Sequence, residues 1–334
     1  MDLVKPRHLT EGDILRIVAP ASSMDILDKT TVSRGVENLE KLGLRVELSP
    51  HVSRRHGHAS GTSKERAGDL IEAFTDPNVD GIMTVWGGWN SNDILGYLDY
   101  AEIRRNAKVF IGYSDITALN VVLLERAGII NFQGPAFVTF THPHLMSWEV
   151  DEFKKTIMTT NSSSEFAASP TYIDDPYHFL HPEKRPEEVA NPGWTIHRGG
   201  VAKGRLTGGH LGTLLSLTGT PYWPDLRHRI LLVEEDEEGG PTGNIARKFR
   251  QLEQTGALSE VEALVIGRIP SIVGLQGGDS LEMILEETLE CYKFPLVSGL
   301  DFGHTNPIAT IPIGVKARLD ADERKLVFLE SGTK

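Results

Sequence analysis

Apolar and polar residues alternate in blocks along the first 135 positions, and the period of the pattern switches repeatedly between strand and helix. Ile14 to Ala19 reads as a short buried strand. Val32, Val36, Leu39 and Leu42 recur at helical spacing and predict an amphipathic helix over Val32 to Leu42. Arg45 to Ser49 is strand-like, Lys64 to Phe74 helical, Gly81 to Trp86 a strand and Asn92 to Leu98 a helix. An apolar strand beginning at Lys108 then runs into Gly112-Tyr113-Ser114-Asp115, and a helix starts at once through Thr117 to Leu124. Ile129 to Phe132 closes the series as another strand. Alternation of this kind predicts an α/β domain with a mostly parallel sheet and helices on both faces.

The pattern then breaks. Asn161-Ser162-Ser163-Ser164 is polar, and Pro170, Pro176, Pro182, Pro186 and Pro192 prevent any helix. Loops of this length inside a compact protein are usually functional or disordered, and residues 161–198 are expected to be an inter-domain linker able to form a lid. From 199 the pattern is mixed. Leu211 to Leu217 and Ile245 to Leu252 are helical; Ile230 to Glu234, Ala263 to Ile266 and Leu296 to Leu300 are strand-like. Ile311 to Leu319 and Lys325 to Leu329 read as one hairpin around residues 320–324. The expected division is 1–160, the linker 161–198, and a second domain over 199–334.

Length and charge narrow the class. The 334 residues suffice for two domains, and the net charge of −12 argues against nucleic-acid or anionic-membrane partners. There is no apolar leader after Met1 and no run near the roughly 18 apolar residues of a membrane span. A soluble, cytoplasmic protein is expected. The single cysteine, Cys291, forms no internal disulfide and is expected to be a small core residue.

The chemistry concentrates at predicted strand ends, which gather on one edge of an open parallel sheet. A serine on a tight strand-to-helix turn has its hydroxyl lifted clear of the sheet, beside the free N–H groups of the helix start. Ser114 has that context, although Ser114 or Asp115 would equally serve as a simple helix cap. A nucleophilic serine needs a base, and the base needs an acid to hold its tautomer. Glu234, ending the strand Ile230 to Glu234, and His304, in Asp301-Phe302-Gly303-His304, supply them in the order Ser…Glu…His. Only Glu234 of the acidic run 234–238 continues the apolar strand directly; Glu235 is the alternative.

Gly87-Gly88 follows another strand and reads as a tight turn or as backbone N–H groups exposed to a ligand oxygen. It belongs to neither a dinucleotide fingerprint nor a phosphate loop. Arg268 ends a strand, as a surface charge or as a cleft residue for a substrate carboxylate. Trp194 either packs the second domain or stacks on a ligand. His51, His56 and His58 cluster, but no ligand-spaced partner accompanies them, so a solvated loop is expected there and no metal or cofactor in the reaction.

These pieces together resemble the LD-carboxypeptidase and microcin C immunity family of serine peptidases. The similarity runs nearly end to end: Gly12-Asp13 with Val18-Ala19-Pro20-Ala21-Ser22, Arg66-Ala67-Gly68-Asp69-Leu70, Gly87-Gly88-Trp89-Asn90-Ser91, Gly112-Tyr113-Ser114-Asp115, Gly208-Gly209-His210-Leu211 and Phe302-Gly303-His304. The resemblance implies a Rossmann-like N-terminal domain carrying a nucleophile, Ser114. It implies a smaller C-terminal α/β domain carrying the base His304 and its acid Glu234. It implies oxyanion donors at the N–H groups of Gly88 and Asp115, and a homodimer. Gly-Gly-Trp-Asn-Ser resembles the immunity branch, which implies a peptidyl or aminoacyl nucleotide as substrate, with Gly87, Trp89, Asn90 and Ser91 facing it. A murein tetrapeptide is the alternative substrate. That branch tends to hold the base with a tryptophan from the inter-domain loop. Here residues 171–190 offer only Tyr172, Tyr177 and Phe179, with His178 and His181.

Overall fold

The computed structural model describes residues 2–160, 163–176, 181–237, 242–275 and 280–334. Its first sheet is built from β1 (Ile14–Val18), β2 (Arg45–Leu48), β3 (Gly81–Thr84), β4 (Val109–Gly112) and β5 (Asn131–Gln133). All four pairings among these five strands are parallel. The intervening segment adds β6 (Ser164–Glu165), β7 (Thr171–Tyr172), β8 (Val189–Ala190) and β9 (Thr195–Arg198). The second half supplies β10 (Val201–His210), β11 (Arg229–Glu234), β12 (Ala263–Gly267), β13 (Leu296–Leu300), β14 (Ile311–Ile313), β15 (Lys316–Asp320) and β16 (Lys325–Phe328). The sheet orders are β14-β5-β4-β3-β1-β2 and β6-β16-β15-β10-β11-β12-β13-β9, with β7-β8 a separate ladder.

Strands β1, β3, β4 and β5 are buried along their whole length because helices cover them, whereas the edge strand β2 is partly exposed. Helix Ser63–Thr75 places Phe74 against Phe110 of β4, ring centroids 6.1 Å apart and both side chains inaccessible to solvent. Each such burial contributes about 1.5–3 kcal/mol. Capping sets where the helices begin. The helix expected from Val32 starts at Lys29, because the Asp28 carboxylate accepts the Thr31 N–H at 2.8 Å. The segment expected as a helix over Asn92 to Leu98 is a 3₁₀ helix, Ser91–Tyr97.

Two elements escape the linear reading. The expected single strand Ile311 to Leu319 is split at Gly314. Its first part, β14, leaves the second half and pairs antiparallel with β5 at the rim of the first sheet. Pro312 is tolerated there because an edge strand has one unpaired side. The proline-rich segment also contributes to both rims of the second sheet, β6 on β16 and β9 on β13. Strands of two to four residues leave too short a pattern to read. Trp194 is buried just before β9, its ring 6.0 Å from Phe166. Cys291, expected in the core, is exposed, since it lies past the end of the amphipathic helix Leu281–Leu289.

The halves meet where β10 ends. Gly209 has φ of +142°, and a Cβ there would lie 2.3 Å from the Thr117 hydroxyl oxygen. The same hydroxyl accepts the His210 N–H at 2.8 Å. Only glycine lets β10 approach the helix that follows Ser114 this closely. No described helix is long and apolar enough to cross a membrane.

Candidate active site

Ser114 sits one residue beyond the end of β4, at the first residue of the 3₁₀ turn Ser114–Ile116 that leads into helix Thr117–Val122. Its φ is +64°. A non-glycine residue held in this left-handed region costs about 1–3 kcal/mol and persists only where the surroundings over-determine it. Here they do. The Asp115 carboxylate accepts the N–H groups of Asn90 at 2.9 Å and Ser91 at 2.7 Å, and the Ser91 hydroxyl donates to the Asp115 carbonyl at 2.5 Å. Asn120 donates to the Gly112 carbonyl at 3.0 Å. Burial pushes the Asp115 carboxyl upward from its ordinary value, and those N–H donors offset only part of that.

The turn aims the Ser114 hydroxyl at the loop after β13. His304 Nε2 lies 3.1 Å from Ser114 Oγ, and His304 Nδ1 lies 2.7 Å from Glu234 Oε2. Glu234 is the last residue of β11 and is buried. Burial alone would lower the His304 pKa; the charge and hydrogen bond of Glu234 outweigh it, so the imidazole is raised above its ordinary value. Glycines hold space for the carboxylate. A Cβ on Gly303 would lie 2.8 Å from Glu234 Oε2, and one on Gly267 2.9 Å from Glu234 Cβ.

Glu235 goes elsewhere. Its Oε2 lies 2.5 Å from Lys248 Nζ and 3.5 Å from His210 Nε2. Strand alternation puts consecutive side chains on opposite faces, which separates the two glutamates.

Gly87 and Gly88 continue β3 to the serine. A Cβ on Gly87 would lie 2.7 Å from Ser114 Oγ and 2.9 Å from the Asp115 nitrogen. Gly88 has φ of +147°, and a Cβ there would sit 2.4 Å from Ser22 Oγ. The pair thus lays bare backbone against the hydroxyl, where fixed N–H donors stabilise a developing oxyanion.

A cavity of about 430 Å³ opens over these groups, lined by Ser114, His304, Gly87, Gly88, Trp89 and Asp236 among others. Trp89 is 65% exposed, and Arg55, His58 and Pro176 also border the space. The cavity brings together five of the expected positions. Glu234 and Asp115 stand behind the wall, each buried. Asn90 and Ser91, expected to face substrate, are buried and instead spend their N–H groups on Asp115.

Arg268 is neither a surface charge nor part of the cavity lining. It is buried, 3.0 Å from Asp301 Oδ1 and 2.7 Å from Asn191 Oδ1, with its guanidinium 4.2 Å from the Tyr172 ring centroid. It ties the inter-domain segment to the end of β13. Beyond it, Ile173 and Asn306 exchange backbone hydrogen bonds of 2.6 and 3.2 Å, two residues from His304. Tyr177, His178 and Phe179 lie outside the described residues.

Three contributors were not among the expected site residues, although Tyr113 and His210 lie within motifs that carry the family resemblance. Tyr113 packs its ring 5.2 Å from that of His304. His210 lies 5.6 Å from His304, ring to ring, and the carboxylates of Asp236 and Glu235 raise its pKa well above the ordinary value against the opposing effect of burial. Asp236 lines the cavity. Among the described residues, His210, Glu235 and Asp236 are the group whose ligand atoms lie within 4.8 Å of one another; His51, His56 and His58 form no such group. His51 is held by Asp69 at 2.7 Å instead, and His58, expected in a solvated loop, borders the cavity.

Known proteins share this architecture. YocD of Bacillus subtilis is 36% identical, covering 94% of this chain and 95% of that one. The microcin C7 self-immunity protein MccF of Escherichia coli is 30% identical over 96% of this chain and 94% of that one. The murein tetrapeptide carboxypeptidase of Pseudomonas aeruginosa is 26% identical over 92% of each. The solved structure of MccF in complex with aspartyl sulfamoyl adenosine superposes with a TM-score of 0.91 at 27% identity, covering 99% of this chain and 100% of that one. The LD-carboxypeptidase N-terminal domain matches residues 15–134 and the LD-carboxypeptidase C-terminal domain residues 203–319. With both domains matched and the fold shared along nearly its whole length, this chain belongs to the LD-carboxypeptidase family of peptidases, S66.

Proposed function

We propose that the protein is a serine peptidase that hydrolyses the amide bond of a peptidyl or aminoacyl nucleotide. The observation that carries the reading is the continuous relay from Ser114 Oγ through His304 to Glu234, at 3.1 and 2.7 Å, with Ser114 held at φ +64°.

Ser114 Oγ attacks the scissile carbonyl carbon as His304 Nε2 takes its proton. Glu234 holds the Nδ1–H tautomer and stabilises the imidazolium that forms. The oxyanion is met by the N–H groups of Gly88 and Asp115. His304 then returns the proton to the leaving nitrogen, the amine departs, and an acyl-serine remains. Water, deprotonated by the same histidine, attacks the ester and regenerates Ser114.

Two features favour the nucleotide. MccF binds aspartyl sulfamoyl adenosine in a fold that matches this one. Trp89 lies exposed on the cavity, where stacking on a base contributes about 1–3 kcal/mol. The same resemblance supports a cytoplasmic homodimer without a cofactor; sedimentation tests the dimer. The deciding experiment offers one enzyme two substrates, an aminoacyl sulfamoyl-adenosine and a murein tetrapeptide ending in D-alanine. Preference for the first in kcat/KM is expected. A tenfold preference for the tetrapeptide, about 1.4 kcal/mol of transition-state binding, transfers the assignment to murein.

A further inference from the structure

We infer that Asp301, gripped by Arg268 and Asn191, is a positioning residue for His304: it fixes the loop that brings the base to Ser114 and Glu234. The inference rests on the roles proposed above for Ser114 and His304 and adds the residues that hold the base in place. His304 depends on such support, because its two ring nitrogens meet groups on other segments, Ser114 after β4 and Glu234 at the end of β11. The residue before it, Gly303, has φ of +109°. A Cβ at Gly303 would lie 2.8 Å from Glu234 Oε2, so the position requires glycine. Glycine beside the base adds backbone freedom where precision is needed. The loop must therefore be fixed on both sides of Gly303-His304.

On the far side, Asn306 exchanges backbone hydrogen bonds with Ile173, and the Ile308 N–H donates to Glu149 Oε1 at 2.8 Å. On the near side the anchor is Asp301. Its carbonyl accepts the Ala309 N–H at 2.8 Å, which closes the loop on itself. Its carboxylate is buried and accepts from the Ser169 N–H at 2.9 Å, Asn191 Nδ2 at 2.9 Å and Arg268 Nη2 at 3.0 Å. Arg268 follows β12 and is itself held, its N–H donating to the Leu300 carbonyl at 2.8 Å and Nη2 to Asn191 Oδ1 at 2.7 Å. Thus the ends of β12 and β13 and the inter-domain segment converge on one carboxylate, three residues from the base. Desolvation offsets most of what a buried ion pair adds to stability. A fully bonded polar network does, however, rigidify its surroundings and specify one arrangement.

The test compares three variants of the full chain with the parent. Asn191→Ala loosens the grip without leaving a lone buried charge. The double variant Arg268→Gln/Asp301→Asn removes both charges together, and Arg268→Lys is the conservative change. Circular dichroism and thermal unfolding check each fold. Misplacement by about 1 Å costs about 10² in rate, so kcat should fall by about tenfold to a hundredfold in the first two variants, with KM little changed. Arg268→Lys should retain more of kcat than the double variant. A second readout needs no substrate: the His304 titration followed by NMR and assigned by its loss in His304→Gln. The groups facing the ring, Glu234, His210, Asp236 and Tyr113, remain in every variant. Any movement of the titration therefore reports the position of the ring. It should lie above the ordinary histidine value in the parent and fall in Asn191→Ala and the double variant, as the contact with Glu234 loosens. Folded variants whose His304 titration stays at the parental value overturn the inference, whatever their kcat. A titration that falls while kcat stays parental supports the positioning and instead removes His304 as the base.

Discussion

Replacing Gly87 by alanine tests the site where its tolerance is smallest. The new Cβ would stand 2.7 Å from both Cβ and Oγ of Ser114 and 2.9 Å from the Asp115 nitrogen. Ordinary carbon contacts lie at about 3.5–4.0 Å, so the end of β3 or the serine turn must give by roughly 0.8 Å or more. The methyl group also occupies the space in front of the Asp115 N–H. Losing one oxyanion donor lowers kcat by about 10²–10³, and a 1 Å misplacement of reacting groups alone costs about 10². These overlap in one structural event, so the expected fall in kcat is about 10²–10³ rather than their product. Overpacking should destabilise the fold by about 1–3 kcal/mol, which leaves the protein folded. The assay measures kcat and KM on an aminoacyl sulfamoyl-adenosine, with denaturant unfolding alongside. Gly68→Ala is the control: Gly68 lies in helix Ser63–Thr75 with nothing within 4 Å of its Cβ position. It should keep full activity and gain about 0.5–1 kcal/mol of helix stability. Parental kcat in folded Gly87→Ala would refute the placement of the oxyanion beside Ser114.

Other perturbations address the remaining parts. Ser114→Gly should abolish turnover yet stabilise the fold by about 1 kcal/mol, because glycine accepts the left-handed backbone; residual hydrolysis near the parental rate removes Ser114 as nucleophile. Glu234→Gln should lower kcat by up to about 10⁴ by removing the partner of the Nδ1–H tautomer, and Glu235→Gln far less; steady-state kinetics giving the reverse ranking moves the acid to Glu235. The base role proposed for His304 requires the neutral ring, and Glu234 raises its pKa, so kcat/KM should rise with pH through a midpoint above the ordinary histidine value. Glu234→Gln removes the raising charge and leaves burial, so the midpoint of its residual activity should move down; a pH profile unchanged in that variant contradicts the assignment. Prolonged chelation should leave hydrolysis intact, because every step is assigned to Ser114, His304, Glu234 and backbone N–H groups; activity lost to the chelator and restored by zinc gives the metal a role in the chemistry.

Local signals carried much of this protein. The apolar run into Gly112-Tyr113-Ser114-Asp115, followed at once by a helix, specifies a serine at a strand-to-helix turn, since both elements are written in nearest-neighbour periodicity. The period of two in β11 separates Glu234 from Glu235 before any fold is known. The alternating blocks before residue 135 determine a parallel sheet, and strand ends on one edge suggest where chemistry gathers. What local pattern does not encode is closure. His304 reaches Ser114 across 190 positions, and its approach depends on β10 pressing its bare Gly209 backbone against Thr117. Arg268 is buried because the inter-domain segment folds back with Tyr172 and Asn191 over a strand end that is exposed in the linear reading. Asn90 and Ser91 lose their expected place at the substrate because the strained turn at Ser114 needs their N–H groups more directly. Strand β14 joins the first sheet although its neighbours in sequence belong to the second. Each of these outcomes is a pairing between distant segments. Such pairings are selected by sheet register, close packing and the satisfaction of buried polar groups, and only the tertiary structure brings those into play.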